Sequence, residues 1–315
     1  MTAHNAFLYP GQASQYVGMG KDLYEHFEEA RTIFDRAENF LGFDLKRICF
    51  EGPEEELKQT RITQPAIFVH SYIVTELLNQ IGIRPHHVAG HSLGEYSALV
   101  SAGALSFEDA LHVVKIRGEQ MQKAGEINPG TMAAIIGVDS EDVEALCLQA
   151  SQFGVVKIAN YNSPGQIVIS GTREGVYDVM RTATEKGAKR VIELVVSGAF
   201  HSPLMEDAQP GLKQALQKAQ FREAVIPVYP NVTARATVSP EELRTSSFLQ
   251  LTHPVLWIDT IHRMISDGVN QFYEVGPERV LSGLLKRISR DHACITAGTK
   301  DEIEMIRHQI GDINV

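Results

Sequence analysis

The stretch from Val88 to Val100 contains a serine between two glycines, in the order Gly90-His91-Ser92-Leu93-Gly94. A short apolar run precedes this motif and residues at helical spacing follow it, so the pattern predicts a strand, a sharp turn and a helix. Two glycines let the backbone bend tightly and hold Ser92 at the apex. Free N–H groups at the start of the helix favour a developing oxyanion. The motif therefore predicts that Ser92 is a nucleophile, against the alternative of a glycine-rich connection without chemistry.

A serine nucleophile needs a general base, and the chain contains 12 histidines. His201 lies in a loop next to an expected domain boundary, and loops carry chemistry more often than cores do. The sequence places His201 only slightly ahead of His91 and His253. No acidic residue stands out as a third triad member, because Glu95 and Asp109 both fit surface positions. A backbone carbonyl is the alternative group that would orient the imidazole.

An arginine interrupts the apolar stripe of a helix predicted from about Phe107 to Ala124. The other members of that stripe are Ala110, Val114 and Met121. A guanidinium on a buried face needs an anionic partner. Two interpretations of Arg117 stay open: a structural role, as a salt bridge or a snorkelling side chain, and a fork that binds a substrate carboxylate through two hydrogen bonds.

The order of the remaining elements predicts an α/β fold in two parts. Between residues 128 and 197 the elements follow the order β-α-β-β-α-β, which is typical of a ferredoxin-like unit. Elsewhere strands alternate with helices, which predicts an α/β-hydrolase-like core with a parallel sheet. We therefore expect a large domain of residues 1–127 and 198–315, a small ferredoxin-like domain of residues 128–197, and a site in the cleft between them.

Composition narrows the class of protein. The 315 residues are 43% hydrophobic and 22% charged, as in ordinary globular proteins. A net charge of -10 disfavours binding to nucleic acid or to an anionic membrane. The three cysteines have no metal-ligand spacing, and we see neither a signal peptide nor a membrane helix. These features predict a cytoplasmic protein.

Several motifs together resemble the malonyl-CoA:acyl carrier protein transacylases, which serve fatty-acid synthesis or act as free-standing acyltransferases in polyketide synthesis. The similar segments are residues 7–15 (FLYPGQASQ), 90–97 (GHSLGEYS), 160–166 (NYNSPGQ), 198–203 (GAFHSP) and 273–277 (YEVGP). The resemblance covers nearly the whole chain. Two departures lie in the first segment, at Tyr9-Pro10 and at Ala13, where glycine is common in the family. Neither departure removes a group with an implied role.

The resemblance implies a catalytic role for each matching residue. Ser92 would attack a thioester, and His201 would accept and return its proton. The backbone N–H groups of Gln12 and Leu93 would form the oxyanion hole. The main-chain carbonyl of Gln250 would orient His201, which fits the missing acidic triad member.

The resemblance also implies which residues bind the substrate. Arg117 would hold the free carboxylate of malonate, and Met121 and Phe200 would contact the acyl group. Phe200 and Leu93 resemble the variants that select malonyl over methylmalonyl. A methyl group in an apolar pocket usually discriminates by about 10–200-fold.

The implied reaction is ping-pong transfer of malonyl from malonyl-CoA, through a serine ester, to the phosphopantetheine thiol of an acyl carrier protein. Malonyl-CoA is then a substrate, and we expect no permanently bound cofactor and no metal. We expect a monomer whose partners exclude nucleic acid and membranes. Carrier proteins are generally acidic, so a local basic patch should dock them. The candidates are Lys186, Lys189, Arg190, Lys286 and Arg287.

Three alternatives to this function stay open. The first is an acyl hydrolase or proofreading enzyme on the same fold, and the second is a free-standing acyltransferase that serves polyketide synthesis. The third, a non-catalytic carrier-binding subunit, is disfavoured by the presence of Ser92, His201 and Arg117. A carboxylate-binding Arg117 would separate malonyl transfer from the hydrolysis of neutral acyl groups.

Overall fold

A computed structural model describes residues 4–313, in which helices surround two β-sheets. The strands are β1 (Asn5–Tyr9), β2 (His87–Gly90), β3 (Thr131–Ile136), β4 (Val156–Ser163), β5 (Gln166–Gly171), β6 (Arg190–Leu194), β7 (Val228–Tyr229), β8 (Gln271–Val275) and β9 (Cys294–Ala297). The α-helices are α1 (Lys21–His26), α2 (Glu28–Leu41), α3 (Leu45–Glu51), α4 (Glu54–Leu57), α5 (Thr60–Gln80), α6 (Gly94–Ser101), α7 (Phe107–Ile127), α8 (Ser140–Ala150), α9 (Arg173–Glu185), α10 (Gln209–Lys218), α11 (Pro240–Leu249), α12 (Trp257–Ser266), α13 (Val280–Ile288) and α14 (Lys300–Ile313). A 3-10 helix spans Pro203–Ala208.

The larger sheet is parallel throughout and has the strand order β7-β2-β1-β8-β9. Its central strand β1 is apolar over Ala6–Tyr9 and fully buried there, as expected for a strand covered on both faces. This parallel sheet confirms the predicted α/β class. The carboxyl ends of its strands are the edge at which α/β proteins place their ligands.

The smaller sheet is antiparallel, with the order β4-β5-β3-β6. The segment β3-α8-β4-β5-α9-β6 has the connectivity predicted for a ferredoxin-like unit, and apolar side chains of α8 and α9 share a core with its strands. We keep the boundaries at residues 128 and 198 as a proposed division into domains.

Two helices of the larger part carry side chains toward the site. Helix α7 begins at a capping serine, since Ser106 accepts a hydrogen bond from the backbone N–H of Asp109. It packs along α5, and at Gly118 the two backbones approach so closely that a Cβ would lie 3.0 Å from the Thr60 oxygen. The close packing fixes the position of the preceding residue, Arg117, on the face of α7.

The chain segment around Val255 joins the two sheets. Its N–H donates to the Ala159 oxygen at 2.8 Å, and its oxygen accepts from the Tyr161 N–H at 2.9 Å. On the other side, the hydroxyl groups of Thr60 and Ser197 lie 2.6 Å apart. These contacts hold β4 and the segment after β6 on either side of a cleft. Within residues 4–313, no helix has both the length and the apolar character that a membrane span requires.

Candidate active site

The turn between β2 and α6 holds Ser92 in a left-handed conformation with φ of 51°. A Cβ on Gly90 would lie 1.9 Å from the Gly94 carbonyl carbon, and one on Gly94 would lie 2.1 Å from the Tyr9 oxygen. Any side chain at either glycine would therefore force the backbone apart. The strand, sharp turn and helix are those that the sequence predicts, and they place Ser92 at the carboxyl end of the parallel sheet.

His201 is the histidine that contacts Ser92. The Ser92 Oγ lies 2.8 Å from His201 Nε2, and His201 Nδ1 lies 2.8 Å from the main-chain oxygen of Gln250. A carbonyl only accepts hydrogen bonds, so Nδ1 carries the proton and Nε2 is left with a lone pair facing the serine. Burial, and then the positive charge of Arg117, lower the pKa of His201 to about 3. The imidazole is therefore neutral near pH 7 and able to accept a proton.

The other two candidate bases lie elsewhere. His91 Nε2 is 2.8 Å from the Asn162 Oδ1, and its ring packs edge-on against Trp257. His253 is exposed, and its Nδ1 lies 2.8 Å from the Leu249 oxygen. The structure thus brings Ser92 together with His201 and with neither of the alternatives.

Two backbone N–H groups beside Ser92 are free to bind an oxyanion. Gln12 and Leu93 both line the same cavity as Ser92. In the part of the chain that the structure describes, neither N–H has a hydrogen-bond partner. The N–H of Ser92 itself is occupied, because it donates to Asn231 Oδ1 at 2.7 Å. The resemblance assigns these two N–H groups to the oxyanion hole, and this role stays a prediction.

Arg117 is 1% exposed, which excludes a snorkelling side chain. Its Nη1 donates to Gln64 Oε1 at 2.8 Å, and its Nη2 donates to Gln250 Oε1 at 2.8 Å. Nη2 also lies 3.1 Å from the Ser92 Oγ. Among the described residues, no Asp or Glu forms an ion pair with Arg117. The hydrogen bonds of this buried cation are thus accepted by neutral oxygens, one of them the serine's, while the buried Glu95 carboxylate attracts it without forming an ion pair.

These groups line one cavity of about 410 Å³. Met121 and Phe200 are buried in its wall. The opposite wall comes from the smaller sheet and includes Met132, Asn160 and the segment 194–196. The cavity therefore lies in the cleft between the two sheets. The side chains of Met121 and Phe200 supply apolar surface beside Ser92, next to the polar groups of Arg117, Gln64 and His201.

Both acidic candidates lie away from His201, and one lies in an unexpected place. Glu95 is 1% exposed, so its assignment to the surface is wrong. Its Oε2 accepts from the Asn231 N–H at 2.7 Å, and burial raises its pKa to about 7. Asp109 accepts from the Ser106 hydroxyl at the start of α7. His201 is therefore oriented by a main-chain oxygen and not by a carboxylate.

Sequence reasoning missed two amides of this site. Gln64 supplies an oxygen to Arg117, and Asn231 contacts the backbone of Ser92. Neither belongs to the motifs around Ser92 or His201. The only local signal for Asn231 is its position directly after a short strand and Pro230, at the carboxyl edge where sites form.

Residues 6–304 match the family model of the acyl transferase domain. The chain belongs to this family. It is 45% identical over 301 residues to the malonyl CoA-acyl carrier protein transacylase of Bacillus subtilis (strain 168). These residues cover 95% of this chain and 95% of that one. It is 38% identical over 300 residues to the protein of the same name from Staphylococcus aureus (strain MRSA252), with 95% of this chain and 97% of that one covered.

Solved structures of acyl transferase domains agree with this assignment. The malonyl CoA-acyl carrier protein transacylase of Coxiella burnetii has a TM-score of 0.94 and 37% identity, and 98% of each chain is covered. A second structure, a malonyl-transacylase in complex with a type II PKS acyl-carrier protein, has a TM-score of 0.94 and 37% identity. The match covers 98% of this chain and 100% of that one. Acyl transfer is therefore the reaction that the site geometry has to explain.

Proposed function

We propose that this chain is a malonyl-CoA:acyl carrier protein transacylase. The observation that carries this proposal is Arg117, a buried guanidinium without a carboxylate partner among the described residues, 3.1 Å from the Ser92 Oγ. A buried cation beside the nucleophile selects an acyl group with a negative charge at its far end. The names of the relatives, malonyl CoA-acyl carrier protein transacylases, support the same donor and acceptor.

In the first half-reaction, His201 Nε2 accepts the proton of Ser92 as the Oγ attacks the thioester carbon. The oxygen of the tetrahedral intermediate takes up negative charge and accepts hydrogen bonds from the N–H groups of Gln12 and Leu93. The C–S bond then breaks, and His201 gives the proton to the departing CoA thiolate. The product is a malonyl-serine ester whose carboxylate lies on Arg117.

The second half-reaction reverses these steps with a different thiol. The phosphopantetheine thiol of the carrier gives its proton to His201 and attacks the ester carbon. The same oxyanion donors stabilise the second intermediate, and Ser92 leaves with the proton returned by His201. Because every step uses side chains and backbone groups of this chain, the reaction needs no bound cofactor. No group of three or more His, Cys, Asp or Glu in residues 4–313 is placed to hold a metal ion.

The walls of the cavity favour an unbranched acyl group. Phe200 and Met121 are 6% and 1% exposed, so their buried side chains have little room to move away from a larger acyl group. A methyl branch next to the ester would press on Phe200, which makes malonyl the preferred substrate over methylmalonyl.

An acidic carrier is expected to dock at a basic edge formed by Lys189, Arg190, Lys286, Arg287 and Arg290, all of which are exposed. Arg190 and Gln166 flank Ile136 on neighbouring strands, and Gln166 Oε1 accepts from Arg287 at 2.5 Å. The five cations therefore border one end of the smaller sheet. Among the described residues none of them forms an ion pair. Lys186, also a candidate, is exposed directly after α9.

The basic edge lies close to the site. Gln166 pairs with Ser163 across β4 and β5, and the preceding residue, Asn162, contacts His91 next to Ser92. A carrier on this edge would therefore place its flexible thiol arm at the cleft. Residues 283–290 also border a concavity of about 760 Å³, lined by Gly283, Lys286, Arg287 and Arg290.

Charge reversal tests this docking site. The double variant Lys286→Glu/Arg287→Glu should raise KM for the carrier about tenfold or more, since like charges across an interface cost several kcal/mol. Formation of the malonyl-enzyme should be unchanged. The double variant Lys213→Glu/Lys218→Glu on α10 has the same change in net charge at two other exposed lysines. Equal effects of the two double variants would refute a specific docking site.

Mass spectrometry of the protein after incubation with malonyl-CoA tests the proposed function directly. We expect one malonyl adduct on the wild type, none on Ser92→Ala, and loss of the adduct when a holo-carrier is added. An adduct that persists in Ser92→Ala would refute the nucleophile. Release of malonate to water in place of transfer would favour the hydrolase alternative.

The carrier that the chain serves distinguishes fatty-acid from polyketide synthesis. The similar structure in complex with a type II PKS acyl-carrier protein supports polyketide synthesis as the alternative pathway. Transfer rates against a panel of carrier proteins from both pathways would decide between them. The monomeric state and the cytoplasmic location stay predictions, which gel filtration with light scattering and cell fractionation would test.

A further inference from the structure

The hydrogen-bond ladder between β2 and β7 stops just before the nucleophile. Val88 pairs with Val228 and Ala89 pairs with Tyr229 in parallel register. The residue directly after β7 is Pro230, which has no N–H to donate. The backbone ladder therefore cannot continue along Gly90 toward Ser92.

At this point the side chain of Asn231 provides the hydrogen bonds that the backbone of β7 provides earlier in the ladder. Its Nδ2 donates to the Gly90 oxygen at 2.6 Å, and its Oδ1 accepts from the Ser92 N–H at 2.7 Å. One side-chain amide thus satisfies a backbone acceptor and a backbone donor on either side of His91. An amide suits this place because it offers both a donor and an acceptor in one plane.

These two bonds act on the strained part of the turn. Ser92 has φ of 51°, a backbone conformation that is unfavourable for residues other than glycine. The direction of the Ser92 N–H and of the Gly90 carbonyl determines the path of the backbone through the turn. A partner that fixes both groups therefore fixes where the Ser92 Oγ points relative to His201.

Asn231 is itself held in place by main-chain contacts. The backbone N–H of Asn231 donates to Glu95 Oε2 at 2.7 Å, and the backbone oxygen of Asn231 accepts from the Leu256 N–H at 2.9 Å. Glu95 lies on α6, the helix that begins two residues after Ser92. The bonds thus form a closed ring from Ser92 through Asn231 to Glu95 and back along the chain. Asn231 and Glu95 are 0% and 1% exposed, so water does not compete for these bonds.

We infer that Asn231 is a positioning residue for the nucleophile and that Glu95 holds Asn231 for this purpose. The inference rests on the proposed role of Ser92. Neither residue touches the substrate cavity, so both act through Ser92 and not on the acyl group. Loss of the bonds should lower the rate at which the malonyl-enzyme forms and leave the binding of malonyl-CoA nearly unchanged.

The first test is Asn231→Ala, with single-turnover formation of the malonyl-enzyme as the measurement. We expect the acylation rate constant to fall about 10–100-fold, since a displacement of about 1 Å at a reacting group can cost 10²-fold. The concentration of malonyl-CoA at half-maximal rate should change little. Asn231→Asp keeps the oxygen that accepts from Ser92 and should lose less.

Glu95 offers a rescue that a purely structural role would not predict. Glu95→Gln keeps an oxygen for the Asn231 N–H and should retain most of the acylation rate, whereas Glu95→Ala should lower it. The double variant Asn231→Ala/Glu95→Ala should be little worse than Asn231→Ala, because the two residues act in one ring. Independent, multiplicative losses would overturn the assignment of Glu95.

Glu274 supplies a matched control. It is fully buried and accepts hydrogen bonds from the backbone N–H groups of Leu281 and Ser282, but it caps α13 and not the nucleophile turn. Glu274→Ala should lower thermal stability with little change in the acylation rate of the folded protein. Equal rate losses for Glu274→Ala and Glu95→Ala at matched stability would overturn the inference.

The experiment also separates this inference from the proposed function. If Ser92→Ala still forms the malonyl adduct, the proposed function fails first. If Ser92→Ala is inactive while a folded Asn231→Ala keeps the wild-type acylation rate, only the positioning role fails. Should Asn231→Ala not fold, the comparison of Glu95→Gln with Glu95→Ala decides the question, and equal rates for those two would refute it.

Discussion

Replacing Arg117 by alanine should remove the preference for an acyl group that carries a carboxylate. The guanidinium is 1% exposed, and its donors now rest on the neutral oxygens of Gln64, Gln250 and Ser92. A malonyl carboxylate would exchange two of these for charge-assisted bonds in a buried site. Such bonds contribute about 1.5–3 kcal/mol each. Two of them amount to about 3–6 kcal/mol, or about 10²–10⁴ in kcat/KM at 1.36 kcal/mol per decade.

The assay compares kcat/KM for malonyl-CoA with that for acetyl-CoA, which lacks the distal carboxylate. Arg117→Ala should lose the full factor on malonyl-CoA and less than about tenfold on acetyl-CoA, where the contacts to Gln64, Gln250 and Ser92 disappear but no bond to the substrate is lost. Arg117→Lys keeps the charge but lacks the planar fork, so it should fall between the wild type and Arg117→Ala. Circular dichroism and thermal unfolding of each variant show whether the fold is retained.

Equal losses on the two substrates would refute the binding of the malonyl carboxylate by Arg117. In that case Arg117 would support the arrangement of Ser92 and His201 and would not recognise the acyl group. The binding of the malonyl carboxylate by Arg117 would also be refuted if folded Arg117→Ala still preferred malonyl-CoA over acetyl-CoA by the wild-type factor.

Three further variants test other parts of the structure. Phe200→Ala should increase the use of methylmalonyl-CoA relative to malonyl-CoA by about 10–200-fold in a competition assay, and an unchanged ratio would show that Phe200 does not limit the pocket. Burial lowers the pKa of His70 to about 4, so the folded state keeps it neutral and stability should fall as pH drops from 6.5 toward 4. His70→Leu should remove up to about 3 kcal/mol of that dependence, measured by urea unfolding at both pH values, and identical slopes for the two proteins would contradict this. Ala13 has φ of 82°, so Ala13→Gly should raise the free energy of unfolding by up to about 1 kcal/mol without loss of activity, and a lower unfolding midpoint would contradict the strain.

The parts of the fold and site that sequence could predict are those that local physics determines. Glycines 90 and 94 predict the turn because no other residue leaves space for it. The sequence predicts the helix around Arg117 because its apolar stripe is a local signal, and the capping Ser106 is a second local signal. The division of strands between a parallel and a ferredoxin-like sheet follows from their order alone.

The remaining parts depend on contacts between distant segments or on weak local signals. Asn231 contacts Ser92 from 139 residues away, and no spacing rule connects the two. Glu95 was assigned to the surface because glutamate usually lies there, but α6 is buried on all sides over residues 94–99, so its periodicity carried no information. Helices α11 and α14 are not among the elements that the sequence predicts. Helix α11 has many polar residues, whereas α14 carries Ile303, Ile306 and Ile310 at helical spacing, which is a local signal of a helix.

The absence of an acidic residue behind His201 and the presence of a buried cation beside Ser92 are parts of one electrostatic arrangement. Gln250 orients His201 through its main-chain oxygen and contacts Arg117 through its side-chain oxygen, both at 2.8 Å. A carboxylate within reach of both groups would pair with the guanidinium. At about 4 Å and an effective dielectric constant near 20, such a pair gains about 4 kcal/mol, which is as much as the malonyl carboxylate is expected to gain. It would also raise the pKa of His201, which Arg117 and burial now hold at about 3. A neutral orienting group therefore keeps the base deprotonated and leaves the cation available to the substrate, which is what transfer of a negatively charged acyl group requires.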